Sequence, residues 1–196
     1  MLGLILALAF GCTATQKTSE PVDTSWHFHD IADVALVQQY AKVPQPQGAM
    51  IIDSRPYQPK YVNGHIPAAV SIPDSQFDKM TDKLPQDKNT LLIFYCEGPT
   101  WKLSHKSARK AEKLGYTNVK VFADGFPGYM KAKGSYAAVS VEYVSGQLAT
   151  NEVILVDARP KKAKYDKGHI PSAISIPDSE FEKLQGKLPA DKNMLV

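Results

Sequence analysis

Short, wholly apolar runs alternate along this chain with segments whose apolar residues recur every three or four positions. Residues 49–52 and 91–95 are apolar throughout, 70–72 and 118–122 are short strand-like segments broken by Ser71 and by Asn118 and Lys120, and 91–95 (Leu-Leu-Ile-Phe-Tyr) has no polar alternation at all. Such a run predicts a strand buried on both faces. Residues 30–40 place Ile31, Val34, Ala35 and Val37 at helical spacing after Asp30, which we read as the cap. Residues 104–114 repeat the pattern, with Ser104 as N-cap, Ala108, Ala111 and Leu114 inward, and Gly115 as the stop. Strands alternating with helices predict an α/β fold, an open parallel sheet with helices on both faces. In such sheets ligands bind beyond the carboxyl ends of the strands, where Asp53 and Cys96 fall.

The pattern then repeats. Residues 51–92 align without a gap on 155–196, identical at 24 of 42 positions at a constant offset of 104. Asp53-Ser-Arg55-Pro returns as Asp157-Ala-Arg159-Pro, and Gly64-His-Ile-Pro-Ala-Ala-Val-Ser-Ile-Pro returns as Gly168-His-Ile-Pro-Ser-Ala-Ile-Ser-Ile-Pro. A period this long is a duplicated domain and not a solenoid unit. The expected organisation is a signal peptide over 1–11, a tether over 12–29, a first domain over 30–136, and over 137–196 the N-terminal part of a second copy that is truncated at Val196. A half-copy lacking its central strand leads us to expect a chain of greater length.

Composition narrows the classes. Among 196 residues, 23 basic and 20 acidic side chains give a formal charge of +3, interspersed along the chain, so nucleic acid is not an expected partner. Two cysteines, Cys12 and Cys96, exclude a disulfide scaffold and a thiolate-only metal site. Residues 2–10 are apolar or small and end in Gly11-Cys12, which is signal-like and too short to span a bilayer. Leu8-Ala-Phe-Gly-Cys12 resembles a bacterial lipobox, although no Lys or Arg precedes it. The resemblance implies lipidation of Cys12 and a membrane anchor, hence a location in the cell envelope facing the periplasm, with a soluble periplasmic protein as the alternative. The polar residues 13–24 suit a flexible tether.

Cys96 ends the most apolar strand and opens the loop Glu97-Gly98-Pro99-Thr100-Trp101-Lys102, which runs into the helix that carries His105 and Lys106. Backbone N–H groups and a helix N-terminus converging there would form an anion cradle and favour a thiolate nucleophile. A buried structural cysteine is the competing expectation. Together with Asp53-Ser-Arg55, Gly64-His-Ile-Pro, Tyr95-Cys96 and Asp124-Gly125-Phe126-Pro127-Gly128-Tyr129, these residues resemble the rhodanese (thiosulfate sulfurtransferase) family.

That resemblance implies a rhodanese-like fold and a two-step shuttle. Cys96 would take a sulfane sulfur from thiosulfate or a related donor as a persulfide and pass it to cyanide or a thiol acceptor, with neither metal nor organic cofactor. Glu97, Gly98, Thr100, Trp101, Lys102 and Ser104 are the implied substrate-binding residues, with Asp53 and Arg55 paired behind them. Where the family commonly has an arginine in the loop, Trp101 stands, followed by Lys102, which cannot grip an oxyanion in the bidentate manner of arginine. Two alternatives follow: a non-catalytic sulfur-relay or binding module, and a cysteine phosphatase or arsenate reductase of the same fold. His65 and His169, repeated in both copies, are expected to be structural, and His27 and His29 lack a third partner for a metal.

Overall fold

A computed structural model describes residues 25–150 and 153–191. Residues 1–24, and with them Cys12 and the expected signal, lie outside the described residues. The described part opens with α1 (Val34–Tyr40), β1 (Ala49–Asp53), β2 (Val70–Ser71) and β3 (Leu91–Tyr95). It continues with α2 (Leu103–Lys113), β4 (Val119–Phe122), α3 (Gly125–Lys131) and α4 (Val141–Leu148). A second, shorter set follows: β5 (Val156–Asp157), β6 (Ile174–Ser175) and α5 (Phe181–Leu184). Among these described residues no helix is long and apolar enough to cross a membrane.

Strands β1 to β4 form one parallel sheet in the order β2-β1-β3-β4. β3 is central and all five of its residues are buried, which explains why its sequence shows no polar alternation. One face packs Phe28, Ile52, Phe77, Leu92, Phe94, Ala108, Ala111 and Val121 together. The other packs Val37, Ile51, Ile66, Ile93, Tyr95, Phe122 and Tyr129. The sheet is therefore covered on both sides, and the carboxyl ends of β1 and β3 lie side by side, with Asp53 in register with Tyr95.

Several local expectations need correction. The first helix starts at Val34, capped by Asp33, whose Oδ1 accepts the Leu36 N–H at 2.8 Å. Asp30 and Ile31 are instead extended and bridge β4: the Val121 N–H donates to the Asp30 carbonyl at 2.9 Å, and the Asp30 carboxylate holds Lys120 at 2.7 Å. Ser104 is not an N-cap. Helix α2 begins one residue earlier with Lys102 in the cap position, and the Ser104 side chain is buried toward Cys96. Leu114 points outward at 44% exposure, because the helix ends at Lys113 and the buried face through Ser104, Ser107, Ala108 and Ala111 next passes over Gly115. The tether expected over 12–29 also ends sooner. Phe28 is buried in the core and its N–H donates to His105 Nδ1 at 2.8 Å, so its ring gains more from burial than from solvation.

The second copy reproduces the edge of the first. β5 and β6 pair in parallel in the register of β1 and β2, Val156 with Ile174 and Asp157 with Ser175, each 104 residues on. Both copies place a non-glycine residue at positive φ in the same turn, Ala68 at 63° and Ser172 at 68°.

Candidate functional site

The site is built where β3 ends. Cys96 follows Tyr95 directly, is 1% exposed, and opens a loop that closes on α2. The loop is fastened from below by α3. The Phe126 N–H donates to the Cys96 carbonyl at 2.9 Å, and Gly125, at φ 62°, approaches so closely that a Cβ there would lie 2.4 Å from the Cys96 oxygen and 2.6 Å from the Gly98 nitrogen. Only glycine fits such an approach. Gly98 itself has φ 139°, and its carbonyl accepts the Trp101 N–H at 3.0 Å, folding the loop back over the cysteine.

Two groups lie within hydrogen-bond distance of the sulfur among the described residues. Cys96 Sγ lies 3.1 Å from Ser104 Oγ and donates to the Trp101 carbonyl oxygen at 3.4 Å. This corrects the expected anion cradle: in this conformation the loop turns a carbonyl, not an N–H, toward the sulfur. The reason is the turn closed by Gly98 and Trp101, which aims the next carbonyl inward. A thiol is satisfied by that carbonyl, whereas a thiolate is repelled by it and keeps only the Ser104 hydroxyl.

The remaining loop residues spread outward. Thr100 and Pro99 are exposed, and the Trp101 ring is 40% exposed. The Lys102 ammonium does not lie over Cys96; it sits 5.1 Å from the Trp26 ring centroid. Glu97 is ion-paired and not freely solvated, accepting from Lys60 Nζ at 2.9 Å and from Arg55 Nη1 at 3.3 Å. It forms one wall of two shallow depressions beside the loop. One, of about 250 Å³, is lined by Arg55, Lys60, Asn63, Gly64 and Phe126. The other, of about 490 Å³, runs past Gly98, Pro99, Asp124 and Lys131.

Behind the loop lies a buried polar network. Asp53 and Arg55, 0% and 2% exposed, form a bidentate pair with contacts of 2.6 to 3.1 Å. Arg55 also donates to the Gly64 carbonyl at 2.7 Å, and Tyr95 OH donates to Asp53 Oδ2 at 2.6 Å while accepting the Ile66 N–H. Burial opposes the Arg55 charge, but hydrogen bonds to Asp53 and its negative charge outweigh this and push the guanidinium pKa up. Burial, with the Asp53 charge, raises Tyr95 well above the usual phenol range. The second copy repeats the pair: Arg159 binds Asp157 and the Gly168 carbonyl at matching distances.

The histidines divide by role. His65 stacks on Tyr61 and meets its carbonyl at 2.8 Å, and His169 does the same with Tyr165 at 3.0 Å, so both fasten the repeated turn. His105 stacks on His27, both lie edge-on to Trp26, and Arg109 binds the Trp26 and His27 carbonyls. Burial, then the charges of His27 and Arg109, lower His105 to about 4. Neither His27 nor His29 joins a cluster able to hold a metal among the described residues.

Sequence reasoning missed four contributors: Tyr95 OH, Lys60, Gly125 as the loop's floor, and the strap of Trp26 to Phe28 on α2. Lys60 had one visible signal, its identity with Lys164 in the repeat. The strap had none beyond its aromatic content.

The rhodanese-like domain family matches residues 36–132 and 140–196. The chain belongs to the rhodanese-like domain family. Among the curated proteins compared, none matches it. Solved structures similar to it include the BH2092 protein of Bacillus halodurans, at 28% identity over 56% of this chain and 77% of that one, with a TM-score of 0.49. A thiosulfate sulfurtransferase from Pseudomonas aeruginosa is 20% identical over 83% of this chain, TM-score 0.47. The anaerobic ergothioneine biosynthesis enzyme of Chlorobium limicola is 19% identical over 77% of this chain, TM-score 0.47. The chain spans 34% and 41% of the length of the last two.

Proposed function

We propose that this rhodanese-family protein is a sulfurtransferase that carries a sulfane sulfur on Cys96. The observation that carries the reading is the placement of Cys96 at the end of the central strand, on a loop braced by α3 and Asp53–Arg55, with the Ser104 hydroxyl at 3.1 Å. In the first half-reaction the Cys96 thiolate attacks the outer sulfur of a donor such as thiosulfate. An Sγ–S bond forms, the donor's S–S bond breaks, and its electron pair leaves with sulfite. In the second, an acceptor thiolate or cyanide attacks the outer sulfur of the persulfide, and the Cys96 thiolate is released.

Within this scheme Ser104 donates to the sulfur whenever it is anionic, and the Trp101 carbonyl turns aside, since it offers an anion nothing. Gly125 and Phe126 keep the Cys96 backbone fixed while the loop adjusts. The phosphatase alternative finds no support in Lys102, whose ammonium is turned to Trp26. The lipid-anchored location remains part of the proposal, resting on the pattern of residues 2–12.

Cyanolysis tests the reading. Protein supplied with a sulfane donor and cyanide should release thiocyanate, and Cys96→Ser should abolish release. Equal thiocyanate from both proteins, or none from the wild type with any of thiosulfate, polysulfide or an organic persulfide, overturns it.

A further inference from the structure

We infer that Ser54 is a second hydroxyl donor to the Cys96 sulfur, held in reserve beside it and engaged when the sulfur is anionic. The inference rests on the sulfurtransferase reading and names a further residue that acts in both half-reactions.

The strand ladder places the residue. Asp53 is in register with Tyr95, and the Ser54 N–H donates to the Tyr95 carbonyl at 2.9 Å, so the next pair along the ladder is Ser54 and Cys96. Neighbouring strands lie about 4.8 Å apart, and side chains alternate between the two faces of a sheet. Asp53 binds Arg55 and Tyr95 on the face that packs Ile51 and Ile93. Ser54 and Cys96 therefore turn to the opposite face, that of Ile52 and Phe94 beneath α2. The helix marks the same spot. Ser104 Oγ lies 3.1 Å from Cys96 Sγ, Ser107 one turn on donates to Asp74 Oδ1 at 3.1 Å, and the Asp74 N–H donates to the Ser54 carbonyl at 3.1 Å. The turn of α2 that covers the sulfur also covers Ser54.

Its hydroxyl has no task in the fold. Ser54 is 1% exposed, and its Oγ has no hydrogen-bond partner among the described residues, a costly state for a buried hydroxyl. The second copy builds the same backbone with alanine here: the Asp178 N–H donates to the Ala158 carbonyl at 3.0 Å, beside the matching Asp157–Arg159 pair. Ser71 makes the contrast. Its Oγ is also unpartnered, but so is that of Ser175 at the same place in the repeat, so that orphan goes with the repeated fold.

The reserve donor answers the change of charge at the sulfur. As a thiol, Cys96 donates to the Trp101 carbonyl and has Ser104 beside it, and its sulfur is a weak acceptor with little use for another donor. As an anion it only accepts, and rotation of Ser54 between staggered positions turns its O–H to the sulfur. In the first half-reaction the two hydroxyls hold the attacking thiolate. In the second, the acceptor's attacking atom bonds to the outer sulfur, the Sγ–S bond breaks, and its electron pair stays on Sγ, where Ser104 and Ser54 donate. No proton is transferred by either serine.

Ser54→Ala in the full chain tests this. Alkylation of Cys96 by iodoacetamide, read by peptide mass spectrometry so that Cys12 is scored apart, should be about tenfold slower than in the wild type at pH 6 and equal to it at pH 10. Loss of a polysulfide-loaded persulfide to cyanide should also slow by about tenfold. The urea midpoint should hold or rise, because an unpaired buried hydroxyl is removed. Ser71→Ala deletes an orphan in register with Asp53, and should leave both rates unchanged. An alkylation profile or a transfer rate in Ser54→Ala equal to the wild type's overturns the inference and leaves the sulfurtransferase reading standing, as does equal slowing in Ser71→Ala. A Ser54→Ala chain that unfolds, or has a lower urea midpoint, overturns it too, since the hydroxyl would then serve the fold. A wild type that takes up no sulfur at Cys96 overturns the sulfurtransferase reading and the inference with it.

Discussion

Gly125→Ala is the sharpest structural perturbation of the loop that presents Cys96. The new methyl carbon would lie 2.4 Å from the Cys96 carbonyl oxygen, 2.6 Å from the Gly98 nitrogen and 3.0 Å from the Cys96 carbonyl carbon. All three are backbone atoms, so no side chain can rotate away. Either the first turn of α3 or the start of the active loop must move by roughly 1 Å, since contacts of this kind belong near 3.5 Å. The substitution also places alanine at φ 62°, costing about 1 kcal/mol, and overpacking adds about 1–3 kcal/mol. A total near 3 kcal/mol leaves a typical domain folded at low temperature. The larger effect is positional. A displacement of about 1 Å at the nucleophile is enough to slow a reaction by about 100-fold. Gly115→Ala is the matched control, because Gly115 has φ 90° but nothing lies within 4 Å of its Cβ position. It should cost about 1 kcal/mol and leave the sulfur chemistry unchanged. The assay is the rate of Cys96 persulfide formation, measured beside urea unfolding for each variant. If Gly125→Ala forms the persulfide at the wild-type rate, the loop does not depend on this close approach and the account of the site's floor is wrong.

Four further outcomes follow from the same geometry. Ser104→Ala removes the hydroxyl at 3.1 Å from Sγ and should slow persulfide formation by about tenfold or more with little change in urea midpoint, whereas equal rates would show that the hydroxyl does not act on the sulfur. Tyr95→Phe strips Asp53 of one donor and leaves the buried Ile66 N–H without its acceptor, which should cost about 1–3 kcal/mol in urea unfolding. Ala68→Gly relieves a residue held at φ 63° and should stabilise the chain by up to about 1 kcal/mol, seen as a rise in Tm. His105, lowered from 6.5 to about 4 in the fold, stays neutral where the unfolded chain takes up a proton, so stability is complete above pH 6.5 and declines as the pH falls toward 4. The slope of Tm against pH in that window should flatten in His105→Asn, and an unaltered slope would assign it elsewhere.

What the sequence made legible was whatever depends on period and repetition. The all-apolar run 91–95 could only be a central parallel strand, and the exact recurrence of Asp53 and Arg55 at Asp157 and Arg159 marked a unit that holds itself together locally. Long-range geometry was not legible. Ser104 has the chemistry of a cap, and only tertiary contact shows that its hydroxyl serves Cys96 while the helix begins one residue earlier. Glu97 looks like a solvated loop residue until Arg55, from another strand end, and Lys60 meet it. The direction of the Trp101 carbonyl depends on backbone dihedrals at Gly98, which composition does not encode. Phe28 lay in a polar stretch, and nothing in its neighbours announced that it completes a core assembled about 80 residues later.

The central claim is that Cys96 carries a covalent sulfur, and intact-protein mass spectrometry after exposure to a sulfane donor tests it most directly. The account predicts a mass increase of one sulfur atom, mapped to Cys96 by peptide fragmentation, reversed by cyanide and lost in Cys96→Ser. An unmodified Cys96 under conditions where a free small thiol is persulfidated would contradict it.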